Sequence, residues 1–380
     1  MLKVKDFLKM FLVWRTLIFL AVFPVMLVLP IRPGFTFLSE TDFGRNLFQM
    51  WTNFDGVHYI TLAIYGHGAV GKTSLMSAFF PVYPWLICTF NEAVHHYTYA
   101  ALLVSNLSFF LSLILLYKIY LLDYKEKIAR SAITLLLIFP TAFFFGSAYT
   151  ESVFLLLSVL AFFFARKKNF LFAGIFAAIA SATRITGIFL WPAIIIEFYL
   201  AYGPKIKKLL RPEAVWLSLP PLGLISYMRY QFLHTGSAVT FITTQSQIGS
   251  NRVVNKLILL HQVFYRYIRM VIFVDHTDPL FFTVLLEFLV GLGFLAILIF
   301  SFKKIRPSYW IYCLLSYILP TFTGTFSSLP RYVVVLFPLF GFLAVFMEKR
   351  HPYFRYLYYA VSVIFAFIAV SLFTRGYFVA

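Results

Sequence analysis

The chain is a succession of long apolar runs separated by short clusters of Lys and Arg. Hydrophobic residues make up 61% of its 380 residues and charged residues only 12%, whereas soluble domains carry about 25% charged residues. Such runs indicate helices that cross a bilayer, because a helix satisfies its own backbone hydrogen bonds there. We expect an all-α integral membrane protein, a polytopic bundle of about eleven transmembrane helices. The predicted spans are 10–31, 94–121, 131–148, 150–165, 169–184, 186–202, 213–233, 279–302, 308–325, 331–347 and 356–374.

The basic clusters indicate membrane topology rather than nucleic-acid binding. The formal net charge of +18 comes from Lys and Arg placed between apolar runs, the pattern left when basic loops stay in the cytoplasm. No basic stripe belongs to a nucleic-acid-binding fold, so no nucleic-acid partner is expected. All clusters fall on one side only if the apolar stretch 169–202 contains two short spans that meet near Arg184.

Two long segments, 32–93 and 234–278, fall on the opposite, outer side. The first is rich in Phe, Trp and Tyr, which favours short helices lying in the membrane interface. The second contains LILLHQVFYRYIRMVIF, whose spaced Arg266 and Arg269 are typical of an amphipathic interfacial helix. With no repeat or soluble domain visible, we interpret 1–380 as one polytopic membrane domain with an uncleaved first span.

The first outer loop carries the strongest candidate for chemistry. WTNFDGVHYITLAIYGH, at 51–67, places the carboxylate of Asp55 among aromatic residues at a membrane surface. A carboxylate there can act as a general base towards a hydroxyl group. His58 lies three residues later, on the same face if 54–65 is helical, and can bind a substrate or orient Asp55. The alternative is that Asp55 caps a helix starting at Gly56.

Two arginines and a lysine near the outer interface form a candidate clamp for a lipid phosphate. Arg184 lies within an apolar stretch, where an unpaired cation is costly, and Arg331 opens the tenth predicted span. Lys72 completes the set, and Glu151 is the expected partner of one arginine. The alternative for the arginines is a snorkelling interfacial anchor.

Aromatic residues of the same loop have two interpretations. They can stack on a sugar ring or line a groove for a lipid chain, or they can simply pack at the interface. The residues concerned are Trp51, Tyr59, Phe79, Phe80 and Tyr83.

Other motifs give weaker signals. GHGAVGKT, at 66–73, matches a phosphate-binding loop, but the strands of a nucleotide-binding domain are missing, so we expect a flexible turn. Asp275, His276 and Asp278 form too small a set for a convincing metal site. Glu92, His95 and His96 have helical spacing, and a polar lip at the interface is favoured there. We therefore expect no metal and no cofactor.

The chain resembles the PIG-V-like mannosyltransferases of the GT-C superfamily. The resemblance rests on FDGVHY at 54–59, FFPVYPWL at 79–86, YTESVF at 149–154 and ATRITGIFLWP at 182–192. SLPRYVVVLFPLF, at 328–340, agrees with the late arginine-then-proline pattern of such enzymes.

The resemblance implies an inverting transfer of a sugar, mannose by family, from a polyprenyl-phosphate carrier to an acceptor hydroxyl. Asp55 occupies the position of the family's base, and the partners would be membrane lipids, the lipid-linked donor and a glycan or glycolipid acceptor. Gly66-His67 replaces the family's usual Gly-Tyr. The expected location is a bacterial plasma membrane with the site facing outward. The alternatives are a transporter or lipid-carrier flippase using Arg184 and Glu197, and a non-catalytic membrane subunit.

Overall fold

A computed structural model describes residues 2–35, 47–67, 76–203, 211–247, 252–253 and 256–379. Within these ranges every regular element is helical, which confirms the all-α class. The α-helices of six or more residues are α1 Val4–Leu20, α2 Val22–Val28, α3 Asp55–Tyr65, α4 Val82–Val94, α5 Tyr97–Tyr120, α6 Glu126–Leu137, α7 Glu151–Arg166, α8 Phe170–Ser181, α9 Leu190–Tyr202, α10 Pro220–Thr235, α11 Leu260–Phe273, α12 Pro279–Ser301, α13 Pro307–Thr321, α14 Leu329–Val334, α15 Phe337–Glu348 and α16 Pro352–Thr374.

In this part of the chain, five helical stretches are long and apolar enough to cross a membrane. The apolar helices α8 and α15 are shorter. The chain is therefore an integral membrane protein, although the eleven predicted spans do not correspond one to one with these helices. The five stretches are Val4–Val28, Tyr97–Tyr120, Ile185–Tyr202, Pro279–Ser301 and Pro352–Thr374.

Several predicted spans are broken where the sequence disfavours a continuous helix. The stretch 169–202 divides into α8 and α9 with Arg184 between them, as expected. The predicted span 131–148 is wrong as one helix: α6 ends at Leu137, and a 3-10 turn, Ala142–Gly146, follows Pro140. Likewise 331–347 divides into α14 and α15, because Pro338 lacks the N–H that a continuous helix requires.

The centre of the bundle is α7, which packs against both α5 and α8. Its residues Phe154, Leu155 and Phe162 are completely buried. Helices α8 and α10 meet at backbone contact: a Cβ added to Gly223 would lie 1.9 Å from the carbonyl oxygen of Ala178. Glycine at this position therefore sets how closely the two helices approach.

Charged residues gather at the two ends of α7. Glu151 begins this helix and Arg166 ends it, about 22 Å away along the axis. At the Arg166 end, its guanidinium donates to both carboxylate oxygens of Asp123, at 2.7 and 2.8 Å. Arg306 binds Glu197 in the same way, at 2.6 and 2.9 Å. The basic clusters predicted to face the cytoplasm contribute to this end, and the candidate site lies at the other.

Candidate active site

The turn before α3 fixes Asp55 at the first position of that helix. The side-chain amide of Asn53 donates to the carbonyl of Phe373 at 2.8 Å. The carbonyl of Asn53 accepts a hydrogen bond of 2.6 Å from the hydroxyl of Tyr149. Residues nearly 100 and over 300 positions away thus hold the turn, and with it the direction of the Asp55 side chain.

Phe54, immediately before Asp55, has a backbone conformation that residues with a side chain rarely adopt. Its φ is +57° and its ψ −117°, in a region that costs about 1–3 kcal/mol. Its ring packs against the rings of Phe35, Phe373 and Phe378, with centroid distances of 5.6, 5.9 and 5.6 Å. This packing stabilises the strained backbone, and such strain is commonest at functional sites.

Four charged side chains from four distant segments form a continuous chain of ion pairs. Arg331 Nη1 donates to Asp55 Oδ2 at 2.7 Å, and Arg331 Nε donates to Glu151 Oε1 at 2.9 Å. Arg184 Nη1 reaches the same Glu151 oxygen at 2.8 Å. Glu151 is completely buried, so it anchors both guanidinium groups from behind. The order Asp55–Arg331–Glu151–Arg184 defines the charge chain of the site.

Aromatic rings flank both arginines. The guanidinium carbon of Arg331 lies 4.5 Å from the ring centroid of Tyr149 and 4.9 Å from that of Phe144. Arg184 lies 4.7 Å from the ring centroid of Tyr332. Attraction between a cation and a ring face contributes about 0.5–2 kcal/mol, so the rings help to hold both buried cations.

Asp55 stays ionised at neutral pH. Burial raises the pKa of its carboxyl group, but the charge and hydrogen bond of Arg331 outweigh burial and lower the pKa below the ordinary value of 3.8. The pKa of His58 is lowered by burial, although the charge of Asp55 acts in the opposite direction. His58 is therefore a neutral imidazole at pH 7, and its ring packs 5.0 Å from the ring of Phe79.

The charge chain opens into a cavity of about 250 Å³. Ile185, Ile242, Leu319 and Pro320 give it an apolar wall, while the guanidinium groups and Asp55 form a polar one. This combination suits a ligand with an anionic group and an apolar part. The full lining comprises Asp55, Tyr59, Ala78, Phe79, Phe80, Thr183, Arg184, Ile185, Phe241, Ile242, Gln245, Arg252, Leu319, Pro320, Thr323, Ser327, Ser328, Arg331, Tyr332 and Phe378.

The residues predicted from the sequence differ in their position relative to the cavity. Asp55, Tyr59, Phe80, Arg184 and Arg331 line the cavity, and Glu151 lies behind the two arginines. His58 does not line it. Lys72 lies outside the described residues.

Tyr83 is placed for packing rather than for contact with a ligand. It is completely buried, and its hydroxyl bonds to the carbonyl of Ala101 at 3.0 Å and the hydroxyl of Ser105 at 2.8 Å. Tyr83 therefore does not line the cavity, and its contact with substrate stays a prediction. The reason is that α4 turns the phenol towards α5, where these two oxygens satisfy it.

Sequence reasoning does not identify Arg252, Gln245 and Ser328 as cavity residues. Arg252 donates to the amide oxygen of Gln245, and its Nη2 lies 3.4 Å from the hydroxyl of Ser328. In the described part of the chain, Arg252 makes no ion pair with a carboxylate, unlike Arg184 and Arg331. Its only sequence signal is that it is one of four Lys and Arg residues in the second outer segment.

The contacts of these residues also bear on the alternative interpretations. Helix α3 begins at Asp55 rather than Gly56, and the Asp55 carboxylate bonds Arg331. Arg331 is buried in ion pairs and so does not snorkel. Glu197, the other charge of a transport pathway, is paired with Arg306.

The motifs that gave weaker signals either make local hydrogen bonds or lie outside the described residues. The carboxylate of Asp275 accepts hydrogen bonds from Thr277, and Asp278 caps the start of α12. Most of the phosphate-loop-like stretch 66–73 lies outside the described residues.

Comparisons with known proteins extend this picture. Residues 78–229, less than half of the chain, match the family model of the dolichyl-phosphate-mannose-protein mannosyltransferases. A comparison with curated protein sequences finds no match. Glu151 and Arg184 lie inside the matched range, and Asp55 and Arg331 lie outside it.

Two solved structures are similar to this chain over nearly its whole length. ArnT from Cupriavidus metallidurans, solved with undecaprenyl phosphate bound, is 14% identical with a TM-score of 0.52, covering 92% of this chain and 62% of that one. The apo oligosaccharyltransferase of Archaeoglobus fulgidus is 14% identical with a TM-score of 0.49, covering 97% and 56%. The chain thus spans at most 62% of the length of these structures. The fold of this membrane protein is therefore similar to that of ArnT, in agreement with the GT-C-like fold expected from the sequence.

Proposed function

We propose that this protein is an inverting glycosyltransferase that uses a polyprenyl-phosphate-linked sugar as donor and Asp55 as general base. The observation that carries the proposal is the cavity itself. It brings an ionised carboxylate, three guanidinium groups and an apolar wall together at one end of a membrane bundle. A lipid-linked sugar phosphate needs each of these: a base for the acceptor, cations for the phosphate and an apolar surface for the carrier.

The proposed reaction is a single displacement at the anomeric carbon. The acceptor hydroxyl attacks that carbon while Asp55 takes its proton, and the bond from the carbon to the carrier phosphate oxygen breaks. Negative charge then grows on the departing phosphate. Arg184, Arg252 and Arg331 would stabilise it. Among the described residues, only the charge of Arg252 is not opposed by an ion-paired carboxylate. No metal or cofactor takes part in this scheme.

The sugar, the carrier, the acceptor and the location are proposed from similarity to known proteins. Mannose as the sugar is supported by the resemblance to the PIG-V-like enzymes and by the name of the matched family. The undecaprenyl phosphate bound to ArnT supports a polyprenyl carrier here. A glycan or glycolipid acceptor, a bacterial plasma membrane and an outward-facing cavity complete the proposal. The proposed contribution of Tyr59 and Phe80 is to the sugar or carrier surface, and that of His58 is to orient Asp55.

The deciding experiment is the replacement Asp55→Asn, which keeps the shape of the side chain and removes the carboxylate that would accept the proton. In purified protein reconstituted with a polyprenyl-phosphate mannose donor, we expect transfer to fall at least about 100-fold, the range of a lost general base. Asp123→Asn is the matched control. Asp123 is similarly exposed, 24% against 30% for Asp55, and also pairs with an arginine, but it lies at the opposite end of the bundle.

Two results would overturn the proposal. More than about a tenth of the wild-type rate in Asp55→Asn would remove Asp55 as base. Transport of a lipid-linked sugar that is unaffected by Asp55→Asn, with no transfer by the wild type, would favour the transporter alternative.

A further inference from the structure

Glu287 is an acidic residue within a membrane helix and outside the cavity lining. It lies in α12 and is only 4% exposed. Among the described residues, no Lys or Arg forms an ion pair with it. Because an ionisable group in a membrane helix is costly, its presence needs a compensating role.

Both carboxylate oxygens of Glu287 accept hydrogen bonds. Its Oε2 accepts from the hydroxyl of Tyr267 on α11 at 2.6 Å. Its Oε1 accepts from the backbone N–H of Ser328 at 3.3 Å. Glu287 therefore links the amphipathic helix of the second outer segment to the turn that precedes α14.

That turn supports two arginines of the cavity. Ser328 has φ +65°, a left-handed conformation that a non-glycine residue keeps only when other contacts impose it. The carbonyl of Ser328 accepts from the backbone N–H of Arg331 at 3.0 Å. The hydroxyl of Ser328 accepts from Arg252 at 3.4 Å. Ser328, whose N–H donates to Glu287, therefore contacts both of the segments that carry Arg252 and Arg331.

The same turn is also fixed from α11. The hydroxyl of Tyr267 lies 3.0 Å from the hydroxyl of Thr325, and Arg266 Nη1 donates to the carbonyl of Gly324 at 3.1 Å. Movement of the turn would therefore have to break contacts to α11 and α12 together.

We infer that Glu287 is a positioning residue for the carrier phosphate, acting through Ser328 to hold Arg252 and Arg331 at the cavity wall. The inference rests on the proposed function, because it presumes a phosphate ligand. It assigns Glu287 no contact with substrate. A carboxyl group suits this role, because each of its two oxygens can accept one of these hydrogen bonds.

The test compares Glu287→Ala, Glu287→Gln and Tyr267→Phe in nanodiscs, using undecaprenyl phosphate binding and steady-state transfer as separate measurements. Glu287→Ala should weaken undecaprenyl phosphate binding and raise the KM for the donor about tenfold, with the acceptor KM unchanged. Glu287→Gln keeps an acceptor for Ser328 and should restore most of the affinity. Tyr267→Phe should act in the same direction as Glu287→Ala but less.

The matched control is Glu197→Gln, which removes another buried carboxylate at the far end of the bundle. It should leave the donor KM unchanged even if less protein folds. A purely structural role for Glu287 would lower the yield of active protein without changing the donor KM, and that result would overturn the positioning role.

The two proposals fail in different ways. Wild-type transfer with unchanged donor KM in Glu287→Ala overturns the positioning role alone. Wild-type binding of undecaprenyl phosphate without transfer overturns the proposed enzyme, and weaker binding in Glu287→Ala would still support positioning. Failure of the wild type to bind undecaprenyl phosphate overturns both.

Discussion

The ion pair between Asp55 and Arg331 has two opposite effects on the chemistry of Asp55. Arg331 keeps the carboxylate charged, yet the same contact lowers the pKa and makes Asp55 a weaker base. A carboxyl group whose pKa is lowered on folding stabilises the fold above its unfolded pKa, about 3.9. That stability is lost as the pH falls through the folded pKa. The ion pair thus favours both the fold and a charged Asp55 carboxylate at neutral pH.

The pH dependence of transfer should report this contact. Removing the positive charge in Arg331→Gln leaves the burial of Asp55, which raises its pKa, without the opposing arginine. We expect the acid limb of kcat/KM to move to higher pH in Arg331→Gln and to move less in Arg331→Lys, which keeps a cation. The quantity compared is the pH of half-maximal kcat/KM rather than the absolute rate. Identical acid limbs in all three proteins would show that Asp55 does not control the profile.

The sequence identified most of the charged residues of the site, but it did not identify all of their ion pairs. Asp55, Arg184 and Arg331 stand out because acidic residues and intramembrane cations are rare in this chain. Glu151 was expected to pair with one arginine, and it pairs with both. Arg252 carried no recognisable pattern, because only the fold brings its segment to the cavity.

At the scale of helices, a proline can mark a start as well as an end. Pro81 caps α4 and Pro84 lies in its first turn, where proline is tolerated. Pro338 has a similar place at the start of α15 and separates it from α14. Sequence alone does not distinguish a proline that ends one helix from one that starts the next.

The close crossing of α8 and α10 predicts a severe effect of one added methyl group. Gly223→Ala would place a Cβ 1.9 Å from the Ala178 carbonyl oxygen, an overlap that backbone shifts must relieve at a cost of about 1–3 kcal/mol. Because α8 leads directly to Arg184, we expect a lower melting temperature and weaker transfer. Thermal unfolding followed by tryptophan fluorescence, with a parallel transfer assay, measures both.

Gly293→Ala supplies the control in another membrane helix. A Cβ at Gly293 meets nothing within 4 Å, and alanine favours a helix by about 1 kcal/mol over glycine. Its melting temperature should be unchanged or higher. If both alanine variants behaved alike, close packing at Gly223 would not explain the sensitivity.

At the scale of the whole molecule, the ion pairs of the described residues lie at two opposite ends. One end holds the cavity with its charge chain, and the other holds the ion pairs Arg166–Asp123 and Arg306–Glu197. The proposed orientation puts the cavity outside the cell and the ion pairs in the cytoplasm, as the positive-inside rule favours.

Cysteine labelling in intact cells should reveal this orientation. In a Cys88→Ser background, a membrane-impermeant maleimide should label Thr89→Cys, an exposed position on α4. It should label Lys127→Cys, 75% exposed at the opposite end, only after lysis. Cys313 is completely buried and should not react in the folded protein. The reverse labelling order would place the cavity in the cytoplasm and contradict the proposed location.

The size of the cavity limits what the protein can recognise. At about 250 Å³ it is smaller than the roughly 300–1,000 Å³ pockets that enclose drug-sized ligands. A carrier of many isoprene units would have to leave most of its hydrocarbon among the neighbouring lipids. The protein would then distinguish donors by their sugar-phosphate headgroup. Donors whose polyprenyl chains differ in length should be used almost equally well.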